Sequence, residues 1–232
     1  MKRIERQKYL NQLVSKKENG LIKIITGLRR SGKSYLLDPI FKEYLLNMGV
    51  KEDHIIKLDL DERRNEKYLN PDILDEYIRN LILDKNMYFL ILDEIQKVNN
   101  FESVLNGLLH IKNLDIYVTG SNSKFLSSDV ITEFRGRGDE IRIYPLSFSE
   151  FYSAFKGTKE EAWNNYIVFG GMPKIMSFSS EIEKSKYLKQ LFERTYFEDI
   201  VERYKILRTD ILDSIVNILA SSIGSLTNPN KL

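Results

Sequence analysis

The chain has 232 residues, of which 42% are hydrophobic and 29% charged, and its formal net charge at pH 7 is +2. This length is enough for one large domain or two small ones. The near-neutral charge gives no support for nonspecific nucleic-acid binding, but it does not exclude a local basic patch. The chain contains no cysteine and no apolar run as long as a membrane span. This removes disulfides and cysteine metal sites and predicts a cytoplasmic protein without a membrane partner.

Strand and helix patterns alternate along the first part of the chain, which predicts an α/β fold with a parallel sheet and helices on both faces. The helix after the first strand should extend from Gly32 to about Met48 and break near Pro39, because proline removes a backbone hydrogen bond. Strand patterns predict five strands, at Leu21–Thr26, His54–Leu60, Met87–Leu92, Asp115–Thr119 and Glu140–Tyr144.

The turn between the first strand and its helix fits the phosphate-binding loop pattern G-x-x-x-x-G-K-[ST]. Such a loop exposes backbone N–H groups at a helix N-terminus, where they and the helix dipole favour a di- or triphosphate. Lys33 would neutralise charge between the β- and γ-phosphates, and Ser34 would offer its hydroxyl to Mg²⁺. For Arg29 and Arg30, a solvated position is an alternative to a contact with phosphate or a partner. The predicted nucleotide-binding residues here are Gly27, Leu28, Arg29, Arg30, Ser31, Gly32, Lys33, Ser34 and Tyr35.

Two acidic residues, Asp93 and Glu94, follow the third predicted strand. Asp93 would hold Mg²⁺, usually through water, as the acidic partner of Ser34. Glu94 is positioned to orient and polarise an attacking water, a task that separates hydrolases of this type from phosphoryl kinases and Ras-like switches. Alone, two acids at a strand end could simply cap the next turn. Behind a phosphate loop in a parallel sheet, they predict a catalytic site.

Polar residues also follow the fourth predicted strand, where Thr119, Ser121 and Asn122 occur in close succession. This strand is expected between the first and the third, so that a polar side chain at its end would lie beside the γ-phosphate. The three residues are candidates for a sensing role, and Asn122 or Ser121 would bond the phosphate or the lytic water. The alternative is an ordinary Gly-Ser-Asn turn.

Two arginines, Arg135 and Arg137, precede the fifth predicted strand. An arginine presented there can reach the γ-phosphate bound by a neighbouring subunit, and such a finger neutralises transition-state charge and contributes ~10³–10⁵ in rate. We favour Arg137 as this finger, which implies a homo-oligomer. The alternative is a solvated basic turn or a loop that docks on nucleic acid.

The strand pattern ends near Ser147, where Ser147 and Glu150 fit a capping box. Amphipathic helices near 148–156, 159–169, 181–204 and 209–223 predict a helical second domain. We expect Trp163 and the other aromatic residues of these helices in a core rather than on a stacking platform. His54 and His110 lack any metal-ligand spacing and are expected to be structural.

These motifs follow one another along nearly the whole chain, and by them the chain resembles the AAA-type (AAA+/STAND-like) P-loop ATPases of bacteria and archaea. In this group an N-terminal ATPase module is joined to a C-terminal domain of unknown function. The matching segments are Ile25–Ser34, Leu92–Gln96, Thr119–Asn122, Gly136–Arg137, Tyr144–Phe148 and Gly170–Pro173.

The resemblance implies an AAA+-like core with strand order 5-1-4-3-2 at residues 1–146, a helical lid at 147–207 and the start of a truncated winged helix at 208–232. It implies that the nucleotide is ATP or ADP rather than a guanine nucleotide, that Gly171 and Pro173 touch adenine, and that Ile4–Leu10 closes over the base. It also implies that the C-terminal domain of unknown function is absent from this chain.

The leading hypothesis is an Mg²⁺-dependent ATPase that couples hydrolysis to conformational change in a partner or in its own C-terminal domain. A second is a STAND-like signalling switch that binds nucleotide tightly and hydrolyses it slowly. A third is a nucleic-acid-binding module with a regulatory nucleotide, which the expected winged helix favours and the near-neutral charge disfavours. A small-molecule kinase is the least favoured hypothesis, because Glu94 would have no task in it.

Overall fold

The computed structural model describes residues 3–120, 134, 136–196, 200–201 and 205–225. The chain forms two compact units, residues 1–185 and residues 186–232. Compactness does not delimit function, so the functional boundaries expected after residues 146 and 207 stay predictions.

The first unit is built on a parallel five-stranded sheet with the order β2-β3-β4-β1-β5. This order confirms the expected 5-1-4-3-2 arrangement, and each strand lies close to its predicted position. Consecutive strands that run parallel need crossover connections whether or not they are neighbours in the sheet, which is why helices alternate with strands along the chain. The strands are β1 Ile22–Gly27, β2 Ile55–Asp59, β3 Tyr88–Asp93, β4 Leu114–Thr119 and β5 Gly138–Ile143.

Helices and short 3₁₀ turns connect the strands and continue after them. The α-helices are α1 Gln7–Ser15, α2 Lys33–Tyr35, α3 Lys42–Asn47, α4 Pro71–Leu81, α5 Phe101–Leu108, α6 Phe148–Ala154, α7 Lys159–Phe169, α8 Glu181–Tyr196 and α9 Thr209–Ser221. The 3₁₀ segments are Glu52–His54, Arg63–Leu69, Ile95–Lys97 and Pro173–Ser177. Among the described helices, none is both long and apolar enough to cross a membrane.

The helix after β1 is interrupted as Pro39 predicted. A π-helical segment, Leu36–Phe41, separates α2 from α3, and Asp38 inside it has non-helical backbone angles of φ −141° and ψ 115°. Proline supplies no backbone N–H and restricts the residue before it to extended conformations. The break therefore follows directly from the sequence.

Hydrophobic side chains cover both faces of the sheet. On one face, Leu74 and Ile78 of α4 and Leu105 of α5 pack in a cluster with alternate residues of the strands. On the other face, Leu13 of α1 and Leu45 of α3 belong to a second cluster with the intervening strand residues. Strands β1, β3 and β4 are buried along their whole length, as strands covered on both faces must be.

A buried ion pair ties β1 to β4 near their amino ends. The Lys23 ammonium donates to the Asp115 carboxylate, and both side chains are buried. The Tyr117 hydroxyl donates to the same carboxylate at 2.7 Å. Burial lowers the pKa of Lys23 although Asp115 opposes the shift, and burial with the nearby Asp115 charge raises the pKa of Tyr117. These bonds fix the register of the two strands whose opposite ends carry the candidate site.

The region after β5 begins with the predicted capping box. Ser147 and Glu150 cap α6 reciprocally, and Thr158 with Glu161 forms a second box at the start of α7. The expectation that Trp163 lies in a core is wrong. Its side chain is 49% exposed and meets Phe148 edge-to-face, with ring centroids 4.9 Å apart. It lies outside the core because Phe151 and Ala162 occupy the buried positions between these helices.

Candidate nucleotide-binding site

The predicted phosphate loop connects β1 to α2 in a backbone conformation that its glycines permit. Gly27 has φ +139°, and a Cβ atom there would lie 2.2 Å from the carbonyl oxygen of Ile143. Gly32, just before α2, has φ +98°, and Arg30 has φ 62°. Only glycine adopts φ angles as large as those of Gly27 and Gly32 without strain, so these two glycines are required by the backbone itself.

The side chain of Lys33 lies across the inside of this loop. Its ammonium donates to the carbonyl oxygens of Gly27 at 2.9 Å and Leu28 at 3.0 Å, and the residue is buried. Ser31 is also buried, and its hydroxyl has no hydrogen-bond partner among the described residues. A cation and an unpartnered buried hydroxyl within a concave backbone turn provide what a phosphate group needs.

The remaining loop residues differ in their exposure. Ser34 and Tyr35 at the start of α2 are exposed, as are Leu28 and Arg30, while Arg29 is half-buried. An exposed Ser34 hydroxyl is accessible to a ligand seated on the loop.

The two predicted acidic residues lie at the same edge of the sheet as the loop. Asp93 ends β3 and is 6% exposed, and Glu94 follows it with φ 57°. In the strand register, Ile25 pairs with Thr119 and Leu92 pairs with Val118, so the carboxyl ends of β1, β4 and β3 form one row. The parallel sheet thus brings the phosphate loop and the acids together, on either side of the end of β4.

Thr119 connects the acids to β4. Its hydroxyl donates to the Asp93 carboxylate and accepts the backbone N–H of Glu94 at 3.3 Å. The residue is fully buried. The two other candidate sensing residues, Ser121 and Asn122, lie outside the described part of the chain, and their roles stay predictions.

Two neighbours of the acids were missed in the sequence. Asp59 ends β2 opposite Asp93, and burial together with the nearby acidic charges raises the pKa of Asp59. Gln96 donates its side-chain amide to the carboxylate of Glu94. The signal for Asp59 was available, because it follows a buried strand just as Asp93 does. Nothing local indicated Gln96, whose contact depends on the turn after β3.

The segment with the predicted adenine contacts lies beside the loop. The backbone N–H of Leu146 donates to the carbonyl of Gly171 at 2.7 Å, and Pro173 begins the 3₁₀ turn that follows. A Cβ atom on Gly32 would lie 3.9 Å from the Cγ atom of Pro173. The structure therefore brings Pro173 to the phosphate loop, as a base-contacting element requires.

Gly171 is also constrained by packing, and this gives a prediction about stability. A Cβ atom on Gly171 would lie 2.1 Å from the carbonyl oxygen of Leu146. We expect Gly171→Ala to lower the free energy of unfolding by about 3 kcal/mol, because the backbone must move to admit the methyl group. Chemical denaturation measures this difference.

The matched control is Gly107→Ala in α5. A Cβ atom there would make only ordinary contacts, with Arg79 Nη2 at 3.7 Å and Asp75 Oδ1 at 3.9 Å. We expect this variant to be unchanged or up to about 1 kcal/mol more stable, because alanine loses less conformational entropy in a helix. Equal stability of the two variants would contradict the close approach at Gly171.

The N-terminal segment packs on the same side of the molecule as Gly171. Ile4 is buried in a cluster with Leu146 and other side chains of α6 and α7. The Arg6 guanidinium, 4% exposed, donates to the carbonyl of Tyr144 at 2.6 Å and to Glu150 at 3.3 Å. Burial lowers the pKa of Arg6, while Glu150 opposes the shift. These contacts anchor Ile4 and Arg6 to the segment that follows β5, and a role of Ile4–Leu10 in covering the base stays a prediction.

Arg137 lies at the amino ends of the strands, whereas the loop lies at their carboxyl ends. Its carbonyl accepts the N–H of Ile22 at 2.8 Å, and β1 and β5 run parallel from Ile22–Gly138 to Gly27–Ile143. The loop and Arg137 are therefore separated by the length of a strand, on the order of 17–20 Å. The Arg137 side chain is exposed and donates to Asn106 Oδ1 at 3.0 Å. Arg137 does not reach the loop of its own chain, and the alternative, Arg135, is outside the described residues.

The two histidines show no ligand cluster. The His54 ring nitrogens contact Asp53 at 2.7 Å and Asp84 at 3.2 Å, and the ring stacks on Tyr88. The hydrogen bond with Asp53 is the main cause of a raised pKa for His54, and Asp84 adds to it. His110 is exposed. In the part of the chain that the structure describes, no three His, Cys, Asp or Glu residues group as a metal site.

Two family models match the chain. A model described as AAA domain matches residues 19–152, and one described as a domain of unknown function (DUF8612) matches residues 160–232. The expectation that the C-terminal domain of unknown function is absent is therefore wrong. The helices assigned to a lid and to the start of a winged helix overlap with it. Most of the motifs that carry the resemblance lie in the ATPase module, and such motifs do not indicate which domain follows it.

The chain is similar to two uncharacterized proteins. It is 34% identical to one from Haemophilus influenzae, over 99% of this chain and 58% of that protein. It is 33% identical to one from Methanocaldococcus jannaschii, over 91% of this chain and 49% of that protein. The chain thus spans only about half the length of these relatives.

The fold is also similar to that of a solved structure, the ORC1 protein of Aeropyrum pernix in complex with DNA. The TM-score is 0.50 at 13% sequence identity, and the match covers 92% of this chain and 65% of that one. At this identity the likeness shows a shared fold.

Proposed function

The chain belongs to the AAA domain family, and from this premise we propose that it is an Mg²⁺-dependent ATPase. The observation that carries the proposal is the position of Asp93, which ends β3, and of Glu94, which follows it, at the end of the sheet that also bears the phosphate loop. Membership of the family supports nucleotide-dependent ATPase activity in general. The metal, the residue roles and the coupling below are proposals for this chain.

Lys33 and the loop backbone would hold the phosphates. Lys33 already presents its charge inside the loop, where its ammonium can exchange the carbonyls of Gly27 and Leu28 for phosphate oxygens. Phosphate oxygens are better acceptors for an ammonium than neutral carbonyls, because the hydrogen bond is then charge-assisted on both sides. Pro173 and Gly171 would contact the base on the other side of the loop.

Asp93 and Ser34 fit a magnesium ion bound with a nucleotide. Mg²⁺ is usually bound through one or two carboxylates together with substrate phosphates and water, rather than by a protein cage. The buried carboxylate that ends β3 and the exposed serine hydroxyl at the start of α2 meet this description. When bound, the ion neutralises developing charge on the phosphates. Glu94 would accept a proton from the attacking water.

Arg137 would act on the nucleotide of a neighbouring copy. Its exposed guanidinium lies at the sheet edge remote from its own loop, where a surface of one copy can face the loop of the next. This requires a head-to-tail homo-oligomer. Hydrolysis would then be coupled to conformational change in a partner or in further parts of the full-length protein, and a nucleic-acid partner is one candidate.

A slowly hydrolysing, STAND-like switch is the second candidate function. It is favoured by the hydrogen bond that the Gln96 side-chain amide donates to the Glu94 carboxylate. A carboxylate held in this bond is less available to accept a proton from water. In that case nucleotide occupancy, rather than turnover, would carry the signal.

Nucleotide binding by Lys33 gives a direct test. We expect Lys33→Ala to weaken binding of MgATP by about 10- to 100-fold, because charged hydrogen bonds contribute roughly 1.5–3 kcal/mol. Isothermal titration calorimetry of wild type, Lys33→Ala and the exposed-lysine control Lys112→Ala would measure this. Equal affinities of wild type and Lys33→Ala would refute the assignment of the loop.

A further inference from the structure

The hydroxyl of Thr119 makes hydrogen bonds to both acidic residues of the proposed site. It donates to the Oδ1 atom of Asp93 and accepts the backbone N–H of Glu94 at 3.3 Å. Thr119 is fully buried at the carboxyl end of β4, between β3 and β1. A single oxygen atom therefore joins the end of β4 to the two residues that β3 contributes.

Each of these bonds constrains a different feature of the site. The bond to Oδ1 restrains the rotation of the Asp93 carboxylate and so the direction in which the carboxylate meets a ligand. The bond from the N–H of Glu94 holds the backbone of a residue whose φ of 57° is rare for residues other than glycine. Strained residues of this kind persist only where their surroundings hold them in place.

The same contacts argue against a direct phosphate contact. A threonine hydroxyl carries one proton, and here that proton is used in the hydrogen bond to Asp93. The hydroxyl would have to break a charge-assisted bond to a buried carboxylate before it could donate to a γ-phosphate. Burial makes that exchange costly, since the carboxylate would lose a partner that water does not replace.

We propose that Thr119 is a positioning residue that orients Asp93 toward the metal of a bound metal–nucleotide complex and fixes the backbone of Glu94. This inference rests on the proposed function, because it assumes that Asp93 holds the metal. It assigns Thr119 to the metal side of the site, whereas a sensing role would assign it to the phosphate.

Three variants and one control separate these roles. Thr119→Val keeps the shape and removes the hydroxyl, while Thr119→Ser keeps the hydroxyl. Thr119→Cys, with a weaker S–H donor, serves if the valine variant does not fold. Thr26→Val is the control, because Thr26 is a buried threonine at the end of the adjacent strand whose hydroxyl donates to Glu140 instead.

The measurement uses Mn²⁺ as a spectroscopic substitute for Mg²⁺ and ADP as the nucleotide. Electron paramagnetic resonance gives the Kd of Mn²⁺ for the ADP complex, and calorimetry in EDTA gives the Kd of metal-free ADP. For Thr119→Val we expect the Mn²⁺ Kd to rise about 10-fold or more, the loss typical of one hydrogen bond to a charged group. We expect metal-free ADP affinity to be unchanged, the serine variant and Thr26→Val to match wild type, and the cysteine variant to be intermediate.

Three outcomes would overturn the inference. If wild type has an ADP-dependent Mn²⁺ site and Thr119→Val binds Mn²⁺ with the same Kd, this inference is refuted and the proposed function is not. A loss of nucleotide affinity in metal-free conditions with Mn²⁺ affinity retained would assign Thr119 to the phosphate instead. Absence of any ADP-dependent Mn²⁺ site in wild type would refute the proposed function and this inference with it.

Discussion

Replacing Glu94 with glutamine is expected to lower steady-state ATP turnover by about 100-fold or more, since a positioned general base contributes typically 10²–10⁴-fold. The amide keeps the shape of the side chain but does not accept a proton from water. Glu94 follows Asp93 at the carboxyl end of β3, and the substitution leaves the loop backbone, Lys33 and Ser34 unchanged in sequence. ATP affinity should therefore stay within a few-fold of wild type.

The experiment combines phosphate release with calorimetric ATP binding over a series of protein concentrations with Mg²⁺. Glu76→Gln is the matched control, because Glu76 is exposed on α4 and belongs to no part of the proposed site. Unchanged turnover in Glu94→Gln would show that another residue activates the water. A wild type that binds ATP but hardly hydrolyses it at any concentration would favour the switch, or a need for further parts of the full-length protein.

Replacing Arg137 with alanine is expected to reduce turnover by ~10³–10⁵, the contribution of an arginine that neutralises transition-state charge from a neighbouring subunit. The position of Arg137 at the amino edge of the sheet separates it from the loop of its own chain. Wild-type activity per molecule should therefore rise with protein concentration. Arg142→Ala is the control, because Arg142 is an exposed arginine on β5, the strand that Arg137 directly precedes.

Mixing the two inactive variants tests the arrangement between subunits. In a mixture of the two variants, the Arg137→Ala subunit keeps an intact Glu94 and the Glu94→Gln subunit keeps an intact Arg137. Where these two subunits meet in the right order, one complete site forms. Activity should reappear on mixing and should be absent from each variant alone. If the mixture stays inactive although wild type depends on concentration, Arg137 is not the finger.

The sequence by itself determined the class of fold and the position of the loop and acids along the chain. Continuous and alternating apolar patterns predicted the five strands closely, because side chains that face the core on either side of a sheet are mostly apolar. The phosphate loop and Asp93 were recognisable because glycines, lysine and acid have fixed places relative to their strands. The strand order followed from the family resemblance, and the break at Pro39 followed from covalent chemistry alone.

Tertiary structure alone decided which of these residues meet. Strand register brings Asp59 beside Asp93 and turns Thr119 toward the acids, while it carries Arg137 to the far edge. These relations join segments distant in sequence, so no local pattern encodes them.

The same reason explains the error at Trp163. Its exposure depends on how separate segments pack, and so does the closeness of Gly171 to the Leu146 carbonyl, which no local pattern indicates. Periodicity fixes which side of a helix is apolar, but the neighbours available to that side are set by the packing of the whole domain.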